Sequence, residues 1–233
     1  MNLALMAPTP PETGELRREI RPQQDAGLKI ISDGELHGKP IVFTHCGVGK
    51  VNAANSATLM LENYDVDLMI LFGIGGAYKD ARIGDIAVAQ SENYAEEGIL
   101  TEDGWKSMEF IGFPLLKNEK EYFNTFQMDS RVSQLAVKVS GDLGFNTEYG
   151  NFITVSQCSG TRESGELLKN RFDGTCENME GAAVAHICAM YGIPVVEIRG
   201  ISNIIENRDP KKWNITLAVS NCNKVVSELV KRI

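Results

Sequence analysis

The sequence predicts a three-layer α/β domain. Three observations carry the prediction. Segments with strand and helix character alternate along the chain. Two strand candidates, 67–72 and 195–201, are apolar on both faces and so belong at the centre of a sheet covered on both sides. The length, 233 residues, fits one large domain spanning 1–233 better than two small ones.

The elements follow in order. Residues 3–7 read as a first strand, stopped by Pro8, Pro10 and Pro11; residues 12–20 read as a helix after that turn. Residues 40–46 form a strand that enters Gly47-Val48-Gly49-Lys50, and 51–64 has helical period. Strand 67–72 ends at Gly73-Ile74-Gly75-Gly76, which reads as a tight turn, and 83–89 is a further strand. Residues 91–127 have weak periodicity and many polar and aromatic residues, as in a long excursion with loops. Then come helix 130–143, strand 151–156, helix 163–170, helix 179–191 closed by Gly192 and Pro194, strand 195–201 and a C-terminal helix 215–231.

Composition narrows the function classes. With 43% hydrophobic and 23% charged residues the chain has an ordinary globular balance. A net charge of -8 argues against general nucleic-acid binding, which needs a basic surface. The start, Met1-Asn2-Leu3-Ala4-Leu5-Met6-Ala7-Pro8, lacks a basic region and a long apolar run, so no signal peptide is expected. No stretch reaches the ~20 apolar residues of a bilayer span. A cytoplasmic protein with no membrane partner is the expectation. Cys46, Cys158, Cys176, Cys188 and Cys222 are widely spaced with no CxxC pair, and His37, His45 and His186 are scattered, so no metal is expected.

The chemistry concentrates near the C-terminal third. Asn178-Met179-Glu180-Gly181-Ala182 puts a carboxylate at the start of a small-residue helix, and Val195-Val196-Glu197-Ile198-Arg199-Gly200-Ile201-Ser202-Asn203 runs an apolar strand into polar groups. Ligands of open α/β sheets sit where strands end in this way. A carboxylate accepts from hydroxyls, and an amide both donates and accepts; together they suit a ribose and a purine. Each residue alone also has a plain structural explanation. Glu180 suits a helix N-terminus, Asn203 a turn, and Glu12 a first helical turn after prolines. Arg199 near the end of an apolar strand needs a partner; Glu180 would serve, as a structural salt bridge or as a ribose clamp. The two glycine clusters match neither GxGxxG nor the P-loop.

Taken together these segments resemble the purine nucleoside phosphorylase and nucleosidase superfamily. The likeness runs through Glu12, Cys46-Gly47-Val48-Gly49-Lys50-Val51-Asn52-Ala53-Ala54, Gly73-Ile74-Gly75-Gly76, Gly84-Asp85-Ile86, Met179-Glu180-Gly181-Ala182 and Arg199-Gly200-Ile201-Ser202-Asn203. It implies a mixed-sheet α/β/α sandwich, no cofactor, a small-molecule purine nucleoside as substrate, and a homodimer or higher homo-oligomer. Within the superfamily the chain most resembles the futalosine hydrolases, through residues 202–209 and Trp213, with the methylthioadenosine/S-adenosylhomocysteine nucleosidases as relatives.

The resemblance implies hydrolysis of an N-glycosidic bond: Glu12 activating water, Glu180 binding ribose hydroxyls, Met179 packing on the sugar, Arg199 orienting Glu180 or the loop of Asn203. Ser202, Gly75 and Phe152 join the expected substrate-binding set. The adenine-releasing nucleosidases carry Asp where this chain has Asn203. An amide donates to a 6-oxo group but is no proton source, so Asn203 favours a 6-oxopurine, hypoxanthine in futalosine, a menaquinone precursor. The first loop has no Arg before Arg17, and a phosphate in an apolar pocket without cations is unfavourable; hydrolysis is therefore expected over phosphorolysis. Arg208, Lys211 or Lys212 would meet the carboxylate of the 5′ substituent. A methylthioadenosine-type nucleosidase, a non-catalytic nucleoside-binding protein and a phosphorylase with arginines from elsewhere are the competing readings.

Overall fold

The computed structural model describes residues 1–26, 31–78 and 81–233. Strand β1 (Leu3–Ala7) leads into the one-turn helices α1 (Pro10–Thr13) and α2 (Leu16–Glu19). Then come β2 (Arg21–Ala26), β3 (Ile31–Leu36), β4 (Lys39–His45), α3 (Lys50–Asn63), β5 (Leu68–Ala77) and β6 (Ile86–Tyr94). Two small hairpins follow, β7 (Gly98–Thr101) with β8 (Gly104–Ser107), and β9 (Leu116–Lys117) with β10 (Glu121–Tyr122), separated by α4 (Met108–Ile111). The rest is β11 (Thr125–Gln127), α5 (Ser130–Asp142), β12 (Thr147–Thr154), α6 (Arg162–Phe172), β13 (Gly174–Asn178), α7 (Gly181–Tyr191), β14 (Val195–Ile204), a 3-10 turn at Pro210–Lys212 and α8 (Ile215–Arg232).

Three layers form because the central strands are apolar on both faces, successive side chains pointing to opposite sides. On β1, Leu3, Leu5 and Ala7 face a core shared with Val132 and Ala136 of α5 and Val225 and Leu229 of α8. Ala4 and Met6 face the opposite core, with Ala53 and Met60 of α3 and Val184 and Cys188 of α7. Met69 and Leu71 of β5 lie in that second core, whereas Leu68, Ile70 and Phe72 lie in the first. The α/β/α class is as predicted.

The sheet is mixed and partly closed. Its main path runs β11-β6-β12-β13-β5-β1-β4-β3-β2, and β14 pairs with both β5 and β6. Hence β5, β14, β6, β12 and β13 form a ring. Within it β14 runs parallel to β5 and antiparallel to β6. The central placement predicted for segments 67–72 and 195–201 holds.

Four expectations are corrected. Segment 12–20 is two short helices, because Gly14 at φ 45° breaks the first after one turn. Gly73-Ile74-Gly75-Gly76 is strand, not turn: β5 runs on to Ala77, with Gly73 opposite Arg199. Those glycines serve close packing. A Cβ at Gly73 would come 2.4 Å from Glu12 Oε2, and one at Gly75 would come 2.4 Å from Cys176 Sγ. Strands β2, β3 and β13 were not anticipated, since their sequences carry little apolar alternation. The excursion at 91–127 holds the end of β6 and two hairpins. Gly47 and Gly49, at φ 87° and 94°, form a left-handed turn into α3.

Candidate active site

Glu12 lies in the first turn of α1, set by Pro10 and Pro11 at the helix start, and is buried. Its Oε1 accepts from Thr9 Oγ1 at 2.8 Å, and its Oε2 accepts from the Ile74 N–H at 3.0 Å. Each oxygen keeps a free lone pair. Burial raises the Glu12 carboxyl above its ordinary range; the nearby Arg199 charge and the two hydrogen bonds offset part of that rise.

Glu180 stands at the N-cap of α7, but its side chain does not cap the helix. It turns to the cleft instead. Its Oε1 accepts from the Gly49 N–H at 2.9 Å, which explains the left-handed turn there, and its Oε2 accepts from Arg199 Nη2 at 3.3 Å. The expected Glu180–Arg199 pair is thus present. A tighter one was missed: Arg199 Nε donates to Glu197 Oε1 at 2.7 Å. Arg199 Nη1 also donates to the Ile74 carbonyl at 3.2 Å, which ties Arg199 to the residue whose N–H holds Glu12. Arg199 is 1% exposed. Burial alone would weaken its charge, but Glu197, Glu180 and Glu12 together raise its pKa.

Asn203 sits just past a bulge between Ile201 and Asn203 on β14. Bulges of this kind re-aim a side chain. Ser202 Oγ lies 2.8 Å from Asn203 Oδ1 and 3.2 Å from the Gly75 carbonyl. A hydroxyl has one proton, and the shorter contact receives it. The amide nitrogen lies over Gly76, where an added Cβ would come 3.1 Å from Nδ2.

Glu12, Gly75, Met179, Glu180, Arg199, Ser202, Asn203 and Arg208 all line one cleft, of about 210 Å³, together with Pro8, Val48, Cys158, Ser159, Glu177 and Trp213. Phe152 does not. On β12 it faces the core beneath α7 and is fully buried, while its neighbour Ile153 faces the opposite side. Strand alternation is the reason, and the expected substrate-binding role of Phe152 is dropped.

Arg208 lies beside Asn203, Ser159 and Trp213, 4.5 Å above the Trp213 ring. Lys212 is paired with Glu206 at 2.5 Å, and Lys211 is exposed.

Glu177 was missed by the sequence reading. It accepts from Tyr78 OH and Ser159 Oγ, each at 2.6 Å, and from the Ser159 N–H at 2.9 Å, so it anchors the loop beside Asn203. Its place directly before the Asn178-Met179-Glu180 run was the available signal. Among the described residues no cluster of His, Cys, Asp and Glu could hold a metal ion, and no helix is long and apolar enough to cross a membrane.

Two carboxylates and an amide around one cleft of a three-layer fold can serve an enzyme of the nucleoside-cleaving class. Within that class the chain belongs to the Phosphorylase superfamily, whose family model matches residues 2–231. It is 32% identical over 197 residues to futalosine hydrolase of Thermus thermophilus, covering 84% of this chain and 83% of that one. It is 29% identical over 214 residues to 5′-methylthioadenosine/S-adenosylhomocysteine nucleosidase of Baumannia cicadellinicola, covering 90% and 89%. Among solved structures it resembles the latter enzyme from Neisseria meningitidis in complex with methylthio-immucillin-A, with a TM-score of 0.85, 22% identity and coverage of 100% and 99%. Futalosine hydrolase of Helicobacter pylori has the same TM-score at 20% identity, covering 100% and 98%. These two structures establish the shared fold.

Proposed function

We propose that this enzyme hydrolyses the N-glycosidic bond of a 6-oxopurine nucleoside, futalosine, releasing hypoxanthine and dehypoxanthine futalosine for menaquinone synthesis. The observation that carries the reading is the Asn203 amide. Ser202 donates to its oxygen at 2.8 Å, and the NH₂ makes one long contact, 3.5 Å, with the Ile204 carbonyl, so its second N–H is the group offered to a base. The N7 and O6 edge of a 6-oxopurine presents two acceptors, whereas adenine presents one acceptor and one donor. A donor suits the former.

Glu12 activates water as general base, with the free lone pairs described above. Glu180 holds the ribose hydroxyls, and its charge stabilises the cationic sugar of the transition state. Met179, half-buried between Glu180 and Asn178, packs on the sugar. Hydrolysis is favoured over phosphorolysis because Arg199 and Arg208 are the only cations lining the cleft among the described residues, and Arg199 is already engaged by Glu197, Glu180 and the Ile74 carbonyl. Arg17 is exposed. Arg208, in the same cleft, is the cation offered to the carboxylate of the 5′ substituent.

Chromatography of the products tests this directly. Hypoxanthine released from futalosine in phosphate-free buffer is the expected result. Phosphate dependence would indicate a phosphorylase. A second reading, a methylthioadenosine/S-adenosylhomocysteine nucleosidase, rests on the similarity to several such enzymes at 24–29% identity; adenine release from methylthioadenosine would establish it in place of the first. Asn203→Asp puts an acceptor and acid at the base edge. It should raise the kcat/KM ratio of adenine over hypoxanthine nucleosides by about 10²-fold, and an unchanged ratio would remove Asn203 from base selection.

The reading includes a cytoplasmic homodimer. Five free thiols suit a reducing compartment. Val51, Leu100, Phe110 and Phe113, 67–83% exposed, are large apolar side chains that a partner copy would cover. Sedimentation equilibrium at micromolar concentration, showing monomer only, would refute the dimer.

A further inference from the structure

Behind the wall of the cleft lie two carboxyl groups that the proposed hydrolysis does not use, Glu92 on β6 and Glu197 on β14, both 0% exposed. They meet beneath Gly181. A Cβ added to that glycine would lie 2.0 Å from Glu92 Oε1 and 2.3 Å from Glu197 Oε2, so the two oxygens face each other across it. Two ionised carboxylates do not share such a place; one keeps a proton.

The partners say which. Glu197 Oε1 accepts from Arg199 Nε at 2.7 Å, so Glu197 is the ionised member. Its Oε2 has no other donor among the described residues, and a hydroxyl on Glu92 Oε1 supplies one. Burial first, and then Glu197, hold Glu92 well above the carboxylate range. The remaining titratable groups around the pair are Arg199, Glu180, the Tyr94 hydroxyl and the buried Cys176 thiol.

The pair reaches the Glu180 turn by two routes. Glu92 accepts from Thr154 Oγ1 at 2.7 Å and from Asn178 Nδ2. Those two side chains cap α7. Thr154 Oγ1 accepts from the Ala182 N–H at 2.7 Å, and Asn178 Oδ1 accepts from the N–H groups of Glu180 and Gly181 at 2.9 and 2.7 Å. The other route is electrostatic. Glu197 holds Arg199 closely, which leaves Arg199 only the looser 3.3 Å contact with Glu180.

We propose that Glu92 and Glu197 are positioning residues for glycosidic cleavage: Glu197 neutralises Arg199 so that Glu180 keeps its charge for the sugar, and Glu92, as a neutral acid, clamps the turn that carries Glu180. The proposal rests on the nucleosidase reading of the cleft.

Glu197→Gln tests it. Glutamine keeps an acceptor for Arg199 and nearly the shape of glutamate, and Glu92 Oε1 accepts its N–H once the Glu92 proton shifts to Oε2, so the charge beside Arg199 is what is lost. Arg199 then draws on Glu180. Base release should fall at least about 10-fold in kcat, with KM changed less than about two-fold and the melting temperature retained. An unchanged kcat, or a loss that only follows the folded fraction, overturns the proposal. Infrared spectroscopy supplies a readout without substrate. The wild type should show the C=O band of a neutral carboxylic acid at pH 7, lost in Glu92→Gln; absence of that band in the wild type also overturns it. If the wild type releases no base from any nucleoside, the nucleosidase reading fails, and the band still decides the protonation of the pair.

Discussion

Glu12→Gln is expected to lower turnover by about 10²–10⁴-fold while leaving the fold and substrate binding in place. Glutamine keeps an oxygen to accept from the Ile74 N–H and an NH₂ to give to Thr9 Oγ1, so neither neighbour of Glu12 loses its partner. What disappears is the base. The same carboxyl sets the acid side of the pH profile. Because burial raises its pKa, the kcat/KM of the wild type should fall with acid at a pH above the ordinary carboxylate range.

Stability moves the other way. The folded state binds the Glu12 proton more tightly than the unfolded chain does. Glu12 therefore adds stability below its unfolded pKa, and that contribution is lost as pH rises through the folded value. At pH 7 the variant should melt at or above the wild type. Steady-state kinetics with thermal melts check both halves. Undiminished turnover in a folded variant would take Glu12 out of the mechanism.

The second large effect is on the fold. Arg199→Leu leaves Glu197 and Glu180 without their common cation in a site where all three side chains are at most 4% exposed. Removing one partner of a buried ion pair costs about 3–5 kcal/mol, and in a chain of this size that lowers Tm by roughly 6–20 °C. The deficit should shrink toward acid pH. Burial already raises the Glu197 and Glu12 carboxyls, and loss of Arg199 raises them further, so protonation relieves the uncompensated charge. Melting curves at pH 5 and pH 8 check this. A Tm within a degree of wild type at pH 8 would mean that water or rearrangement screens the orphaned carboxylates.

Much of the site was legible in the sequence because it is built from short segments with unusual residues in unusual places. Arg199 in an apolar strand demanded a partner, and Glu180 was one. Asn203 at the end of that strand and Glu12 after a proline turn reach the same cleft, as expected. The misses have physical causes. Glycines 73, 75 and 76 look alike whether they make a turn or let side chains pack onto a strand, and only the positions of Glu12 and Cys176 decide between these. Phe152 failed because the face of a short strand depends on a register that sequence does not supply. Glu92, Glu177 and Glu197 were overlooked because a lone glutamate in a strand is ordinarily a solvent-facing residue. Their burial rests on contacts between segments as far apart as β6 and β14.

The strand that closes the ring is the last of the described strands. Val195–Ile204 slots between β5 and β6, laid down more than a hundred residues earlier, and brings Arg199 and Asn203 with it. During synthesis the edges of β5 and β6 that it fills stay open until it emerges, exposed to the mispairing that open strand edges invite. Closure of the ring and delivery of Arg199 and Asn203 to the cleft are therefore one event.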